Sequence, residues 1–216
     1  VDGLGRSVPL FRVGGGGEVT AVGRLRLLGH AQCYWDRPEG GRLFAGLPPA
    51  LAEMAPQGYL GRRFLARHPE LGVPPRLADW TDDHRLLALA HHGEDCIGDL
   101  IAGDEPLRRF LGSRAVEVAP EAYPRLAGDA PPGPVGPLAG GEHPKFCAFS
   151  AGRHVLVKFA PPGDAAGPSR WRDLLWCEWK ALATAAAAGV PAARGWLRDV
   201  DGWRFLELER FDRVGA

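Results

Sequence analysis

The sequence predicts an α+β fold in two modules, a β-rich first module and a second module built from an antiparallel sheet and one helix. Short apolar runs dominate the chain before residue 36, and four prolines among several glycines mark residues 129–141. Beyond this stretch, two hairpin patterns surround one long helical pattern. We therefore expect a first module at residues 1–128, a linker at residues 129–141 and a second module at residues 142–216.

The first module combines short strands with short helices. Its apolar runs are separated by turns rich in glycine, and one helical pattern follows Thr81, a residue type that caps helices well. We expect strands at residues 8–13, 19–22, 25–28, 31–35, 96–101 and 116–118. We expect helices at residues 47–54, 61–68, 82–92 and 105–111.

The second module has a hairpin on each side of a helix. The first hairpin joins residues 146–149 to residues 154–159 through a loop with glycine, and the second turns at Asp201-Gly202, a pair that two-residue turns favour. Apolar residues at three- and four-residue spacing predict a helix that starts near Pro168-Ser169 and ends at Gly189. The residues that define this spacing are Trp171, Leu174, Leu175, Glu178, Trp179, Leu182 and Ala186.

Composition argues against several classes of function. The 26 basic and 26 acidic residues balance, so we expect no surface for nucleic acid within this sequence. The cysteines lack paired short spacing, which favours reduced thiols over a zinc site or disulfides; they are Cys33, Cys96, Cys147 and Cys177. No apolar run reaches the about eighteen residues of a membrane span, and no signal peptide is evident. We expect a cytoplasmic protein with no membrane partner.

Lys158 and Glu178 are charged residues in apolar surroundings. Lys158 shares a strand face with Leu156, and Glu178 lies four residues from both Leu174 and Leu182. A lone strand lysine often only extends its ammonium group to solvent, but a buried unpaired glutamate would cost about 3–5 kcal/mol. We therefore expect Lys158 and Glu178 to form an ion pair between neighbouring elements.

A glycine-rich turn precedes the first hairpin of the second module. It comprises Gly140, Gly141, Glu142, His143, Pro144 and Lys145. Backbone N–H groups of such a turn can approach phosphates closely, although most glycine-rich turns beside strands bind nothing. No Gly-Lys-Ser/Thr follows at the spacing of a Walker P-loop.

Two other groups of residues invite a functional interpretation that we do not adopt. The histidines at positions 84, 91 and 92 lie among acidic residues, but adjacent histidines on one helix point apart, so we assign no metal ligands there. Three tryptophans at positions 171, 176 and 179 scatter over more than one helix face, which favours packing over a stacking platform.

Together these motifs resemble the HipA-like kinases, and most closely their YjjJ branch. The resemblance covers residues 56–61, 93–98, 140–145, 155–159, 171–178 and the Leu-Glu-Arg-Phe-Asp-Arg run at residues 208–213. It implies a HipA-type first module followed by a kinase-like N-lobe that binds ATP with Mg²⁺ for phosphoryl transfer to protein serine or threonine. It places residues 140–145 and Lys158 at the ATP phosphates, with Glu178 positioning Lys158. It places the backbone of Glu209, Arg210 and Phe211 at the adenine.

The sequence departs from the family pattern at three points. Pro137 and Leu138 stand where the family has an autophosphorylated serine, so we expect that switch to be absent. The family's catalytic and metal-binding aspartates follow the hinge, whereas this sequence ends three residues after Arg213. The DNA-binding segment implied by the YjjJ branch would precede Val1.

These departures lead us to expect a piece of a toxin-like kinase with no catalytic residue or metal ligand of its own. We expect the 216-residue chain to be inactive by itself. The resemblance further implies a protein substrate, and contact with an antitoxin or DNA through segments outside this sequence. The alternative is a non-catalytic transcriptional regulator or interaction module of a toxin–antitoxin-like system, in which the lobe is a scaffold.

Overall fold

The computed structural model describes residues 7–29, 32–128, 143–163 and 166–213, and shows a mixed α/β protein with two antiparallel sheets and several helices. The chain forms two compact units. The first comprises Val1–Gln57 and Phe64–Ser113, and the second comprises Gly58–Arg63 and Arg114–Ala216. The predicted linker at residues 129–141 lies outside the described residues. Within the described ranges, no helix is both long and apolar enough to cross a membrane.

The first unit contains a five-stranded antiparallel sheet with the strand order β4-β3-β2-β1-β5. Its strands are β1 (Ser7–Val13), β2 (Val19–Gly29), β3 (Gln32–Asp36), β4 (Arg42–Ala45) and β5 (Leu100–Ala102). Between β4 and β5 the chain forms the helices α1 (Pro49–Met54), α2 (Gly58–Arg67) and α3 (Asp82–His92). After β5 it forms α4 (Asp104–Gly112). Alternate strand residues such as Leu10 and Leu25 are buried with Leu51, Leu86 and Leu89 from the helices.

The predicted helices of the first module are present, but four of its predicted strands differ from the structure. The strands expected at residues 19–22 and 25–28 are one strand, because Gly23 continues β2 through a bulge instead of ending it. The strand expected at residues 96–101 is confined to Leu100–Ala102, and no strand forms at residues 116–118, where Glu117 makes a single bridge to Phe149. Strand β4 has no long apolar run, and the sequence did not predict it.

We predict that Gly23→Ala destabilises the first unit more than Gly40→Ala does. Both glycines have φ near the same positive value, 122° and 123°, so the backbone strain of about 1–3 kcal/mol is matched. A Cβ at position 23 would lie 2.0 Å from the backbone oxygen of Asp36, whereas a Cβ at position 40 meets nothing within 4 Å. Urea denaturation of both variants measures the difference, and equal losses of stability would contradict this role of Gly23.

The second unit is a four-stranded antiparallel sheet covered on both faces. Its elements are α5 (Tyr123–Gly128), β6 (Lys145–Ser150), β7 (Arg153–Ala160), α6 (Ala166–Ala187), β8 (Gly195–Val200) and β9 (Trp203–Glu209). The strand order is β6-β7-β9-β8. Helix α6 packs on one face through Leu175, against Ala160 and Leu206. The other face buries a cluster comprising Phe146, Val155, Val157, Phe159 and Phe205 with Tyr59 and Tyr123.

Both predicted hairpins and the long helix are confirmed in the second unit. Asp201 and Gly202 adopt φ values of 48° and 77°, as the predicted two-residue turn requires. The first hairpin is tighter than expected, because Ala151 and Gly152 also adopt positive φ and the strands extend to both sides of them. Helix α6 begins at Ala166, so that Pro168 lies in its first turn, where the missing N–H of proline costs nothing.

Candidate functional site

Lys158 and Glu178 form an ion pair on the face of the sheet that α6 covers. The Nζ of Lys158, on β7, donates to the Oε1 of Glu178, on α6, over 2.5 Å. The two side chains are 20% and 35% exposed, so the pair is only partly screened by water. The structure therefore brings together the two charged residues that the sequence placed on facing apolar surfaces.

The spacing of residues along α6 explains why Glu178 faces the sheet. Leu175 is fully buried, Trp171 and Trp179 pack beside it, and Glu178 lies three residues after Leu175 on the same side of the helix. Leu174, which the sequence placed on this face, is 45% exposed. The buried stripe is therefore narrower than the apolar pattern indicated, and Glu178 lies within it through its spacing from Leu175.

Lys145 lies directly across from Lys158. In the antiparallel ladder of β6 and β7 the Cα atoms of these two lysines are paired, so both side chains project from the same face of the sheet. Like charges in directly opposed positions repel, and Glu178 pairs with Lys158 from the side of α6. The ladder therefore brings two ammonium side chains to one face of the sheet, beside Glu178.

His143 lies beside the two lysines in its uncharged form. Its Nε2–H donates to the carbonyl of Phe159 over 3.1 Å, and its ring meets the ring of Trp171 edge-on, with centroids 4.4 Å apart. Burial, together with the nearby positive charge of Lys158, lowers the pKa of His143 from 6.5 to about 4. Gly140, Gly141 and Glu142, the first half of the predicted phosphate turn, lie outside the described residues.

The backbone of Pro144 fixes the second half of that turn to β7. The amide of Phe159 donates to the carbonyl of Pro144 over 3.0 Å, next to the contact from His143 to the carbonyl of Phe159. Lys145 follows immediately as the first residue of β6. The described part of the turn is therefore held against the strand that carries Lys158.

We predict that the second unit loses stability as the pH falls from 6.5 to about 4, in part because of His143. The pKa of His143 is lowered in the folded state, so the unfolded chain takes up this proton first and the folded state loses its advantage through that window. In His143→Gln this contribution is removed, so the stability difference between wild type and variant should shrink as the pH falls. Urea denaturation across the window measures it, and a constant difference would contradict the prediction.

The predicted hinge lies at the end of β9, next to the start of β7. The amide of Arg210 donates to the carbonyl of His154, and the amide of Glu209 donates to the carbonyl of Arg194, each over 2.9 Å. Beside them is a cavity of about 350 Å³ whose lining includes Gly152, His154, Ala193, Arg194 and Phe211. The Phe211 side chain is 88% exposed at this cavity.

A buried ion pair joins a residue of the predicted hinge to the residue that follows the hinge. Arg210 contacts Asp212 with two nitrogens, Nε to Oδ1 over 3.1 Å and Nη2 to Oδ2 over 2.8 Å, and both side chains are almost fully buried. This two-point contact fixes the direction of the chain after β9. The side chains of Glu209 and Arg210 are thus used in local structure, while Phe211 is presented to solvent.

A second charged network, which sequence reasoning missed, lies on the opposite face of the sheet. Glu207 on β9 is 2% exposed, accepts from the Tyr123 hydroxyl over 3.1 Å and pairs with Arg198 of β8 over 3.3 Å. Burial, with a smaller contribution from the charge of Glu207, raises the pKa of Tyr123 to about 12. The sequence does contain one indication of this network: Glu207 lies two residues after Phe205 and so interrupts an apolar strand face.

Several of the polar residues among which we assigned no metal ligands, although not His92, serve local structure. His84 closes a capping box with Thr81 at the start of α3. Asp82 accepts from the backbone of Leu47 over 2.9 Å, and Glu94 binds Arg109. Among the tryptophans of α6, Trp176 is 47% exposed while the other two pack toward the sheet, so the three do not share a surface.

The fold and this site define a mixed α/β protein that carries a lysine–glutamate pair on the helix-covered face of an antiparallel sheet. The chain belongs to the YjjJ-like toxin family, since residues 4–111 match the family described as "YjjJ-like toxin, middle domain". It is 33% identical over 224 residues to "Toxin YjjJ" of Escherichia coli (strain K12), covering 96% of this chain and 50% of that relative. The chain therefore spans about half the length of the curated relative that it matches, and the predicted resemblance to the YjjJ branch is confirmed.

Proposed function

We propose that this chain carries the nucleotide-binding lobe of a HipA-like toxin kinase that transfers phosphate from ATP to serine or threonine of a protein. The observation that carries the proposal is the opposed Lys145 and Lys158, with Glu178 holding the second lysine. In protein kinases a strand lysine held by a helix glutamate contacts ATP phosphates, which supports the same role for Lys158. The 33% identity to a protein named as a toxin supports the toxin part of the proposal.

Two ammonium groups on one sheet face fit the phosphates of ATP. A phosphate group near Lys145 and Lys158 would form charge-assisted hydrogen bonds with both. Glu178 fixes the orientation of the Lys158 side chain, because its carboxylate binds the Nζ of Lys158 from the side of α6. Such positioning and charge neutralisation supply most of the catalysis in phosphoryl transfer.

The same face offers an apolar surface for the adenine between Lys158 and the hinge. Leu156 is half-buried and is paired across the ladder with Cys147 on one side and Leu208 on the other. His154, which contacts the hinge, precedes Lys158 by four residues, or roughly 13 Å along an extended strand. We propose that the adenine lies over Leu156 beside the backbone of Glu209, Arg210 and Phe211, with the phosphates at Lys158.

The residues present suit the phosphates of ATP better than they suit its Mg²⁺. Glu178, the carboxylate that the structure describes at this site, is engaged by Lys158, and the described residues near the two lysines include no group of three metal-ligating side chains. Mg²⁺ prefers carboxylate oxygens and water together with the phosphates. We propose that the carboxylates that bind the metal come from the part of the relative's length that this chain does not span.

The alternative is a non-catalytic regulator or interaction module. One observation favours it: the family match at residues 4–111 lies in the first module and does not include Lys158 or Glu178. In that case the second unit is a scaffold, and catalytic aspartates would be substituted in the remainder of the protein.

Phosphoryl transfer by a longer protein tests the proposal. This longer protein contains the present chain and also its own segments that correspond to the half of the relative that the chain does not span. With Mg²⁺ and ATP labelled at the γ-phosphate, we expect label on serine or threonine of the kinase itself or of proteins in a cell extract. The 216-residue chain alone is expected to transfer none. If the longer protein is folded and binds ATP but transfers no phosphate, the regulator is favoured.

A further inference from the structure

The ends of two helices in the first unit bring two histidines and a glutamate together. His68 follows the last residue of α2, and His92 is the last residue of α3. Glu70 lies in a short 3₁₀ helix, Pro69–Leu71, directly after His68. The Nδ1 of His68 and the Nε2 of His92 each lie 3.1 Å from the same oxygen of Glu70, Oε1. All three ligand atoms lie within 4.8 Å of one another.

These distances are close to those between ligands of one metal ion. Zinc binds nitrogen and oxygen at about 2.0–2.1 Å, so two ligands in a tetrahedral site are about 3.3 Å apart. The two histidine–glutamate distances are close to this separation. The Glu70 side chain is exposed, so a small rotation of it would leave room for an ion between its oxygen and the two histidine nitrogens. Two imidazoles and one carboxylate form a recurrent donor set for divalent transition metals, with positions left for water.

Aromatic packing holds the two imidazoles in place. The rings of His68 and His92 are stacked, with centroids 3.8 Å apart and an angle of 21° between planes. Phe64 contacts both rings, at 4.6 Å from His68 and 6.1 Å from His92, and is itself packed against Trp80. This packing limits rotation of both rings and keeps one nitrogen of each within 3.1 Å of the same Glu70 oxygen.

The same group is open to water on one side. More than half of the Glu70 side chain is exposed, whereas about three quarters of each histidine side chain is covered. An ion could therefore reach the nitrogens without any change of the backbone, and water could complete its coordination. Hydrogen bonds from both imidazoles to one carboxylate oxygen would give the same distances. Metal-binding measurements distinguish the two cases.

We propose that His68, Glu70 and His92 form a binding site for a divalent transition metal, of which Zn²⁺ is the probe of choice. The site lies in the first unit, and none of its residues belongs to the proposed nucleotide site of the second unit. Its function is structural or regulatory, because a bound ion would join the ends of α2 and α3. The proposal does not depend on the proposed kinase activity.

Equilibrium dialysis of the purified chain against Zn²⁺ near neutral pH tests this site. We expect one ion per chain, and we expect His68→Gln and His92→Gln each to weaken binding at least about tenfold. His91→Gln is the matched control: it removes the neighbouring imidazole, whose ring centroid is 6.4 Å from that of His92, and should leave the affinity unchanged. No binding, or equal binding by all four proteins, would overturn the proposal.

Co²⁺ provides a second measurement that separates this site from adventitious binding at other histidines. Co²⁺ held in a four-coordinate site of nitrogen and oxygen ligands absorbs visible light more strongly than six-coordinate hydrated Co²⁺. We expect this absorption in the wild type and in His91→Gln, and its loss in His68→Gln and His92→Gln. Thermal melts without metal establish that each variant is folded, and persistence of the absorption in folded His68→Gln would count against the assignment.

Discussion

Replacing Lys158 with methionine in the longer protein is expected to lower the rate of phosphoryl transfer from ATP by about 10²–10³-fold. Methionine retains an unbranched stem on β7, so packing against α6 changes little, but the positive charge held by Glu178 is lost. That charge is proposed to stabilise the phosphates most strongly as negative charge shifts between oxygens in the transition state. Steady-state kinetics with saturating protein substrate give kcat and kcat/KM for ATP.

The matched control for this change is Lys180→Met. Lys180 lies on α6, two residues after Glu178, and its side chain is exposed on the other side of the helix from the sheet. Its replacement removes the same charge from the same unit and should leave the kinetics within about twofold, since surface charges far from the reacting atoms contribute little. Unchanged turnover in Lys158→Met, or an equal loss in Lys180→Met, would remove the proposed role from Lys158.

Replacing Arg198 with methionine is expected to destabilise the second unit by about 2–3 kcal/mol. The change leaves the Glu207 carboxylate, which is 2% exposed, with only the hydroxyl of Tyr123 as its remaining donor among the contacts described above. A buried charge that loses its partner is costly, and the expected value lies at the low end because Arg198 itself is 39% exposed. Urea denaturation of the two proteins measures the loss.

A double-mutant cycle and a second ion pair make this prediction specific. In an Arg198→Met background, Glu207→Gln should cost little further, because it removes the charge that the first change left unpaired. Arg204→Met breaks the pair with Asp199 on the same hairpin, and should cost less than about 1 kcal/mol because the carboxylate that it leaves is 56% exposed. Equal losses for Arg198→Met and Arg204→Met would contradict the importance of burial at Glu207.

Local periodicity predicted the second unit well because its elements are regular. The alternation along β7 and β9 and the three- and four-residue spacing along α6 are direct consequences of strand and helix geometry. The turn at Asp201 and Gly202 depends on two neighbouring residues only. Such features require no knowledge of the tertiary fold, so the sequence was sufficient for them.

Features that depend on distant pairing were not predictable in the same way. Gly23 resembles a turn residue in the sequence, but its partner across the sheet is Leu10, and the bulge follows from that pairing. Strand β4 is short and mostly exposed, so it exists through its ladder with β3 and has no apolar pattern of its own. His68 and His92 are separated by 24 positions along the chain, and only the packing around Phe64 brings their rings together.

The candidate site was predictable where a charge contradicted its surroundings. Lys158 and Glu178 each break an apolar face, and that contradiction predicted their contact. The opposition of Lys145 to Lys158 depends on the register of β6 against β7, which a one-residue shift would abolish. Glu207 also breaks an apolar face, but its partners come from β8 and from Tyr123, 84 positions away, and no local pattern pointed to them.

The most direct test of the proposed nucleotide site is an experimental structure of the longer protein with Mg²⁺ and a non-hydrolysable ATP analogue. We expect a phosphate oxygen within about 3 Å of the Nζ of Lys158, with Lys145 on the same face, Glu178 still paired and the adenine against Leu156. A nucleotide bound elsewhere, or a Lys158 that remains far from every phosphate at full occupancy, would rule out the proposed nucleotide site.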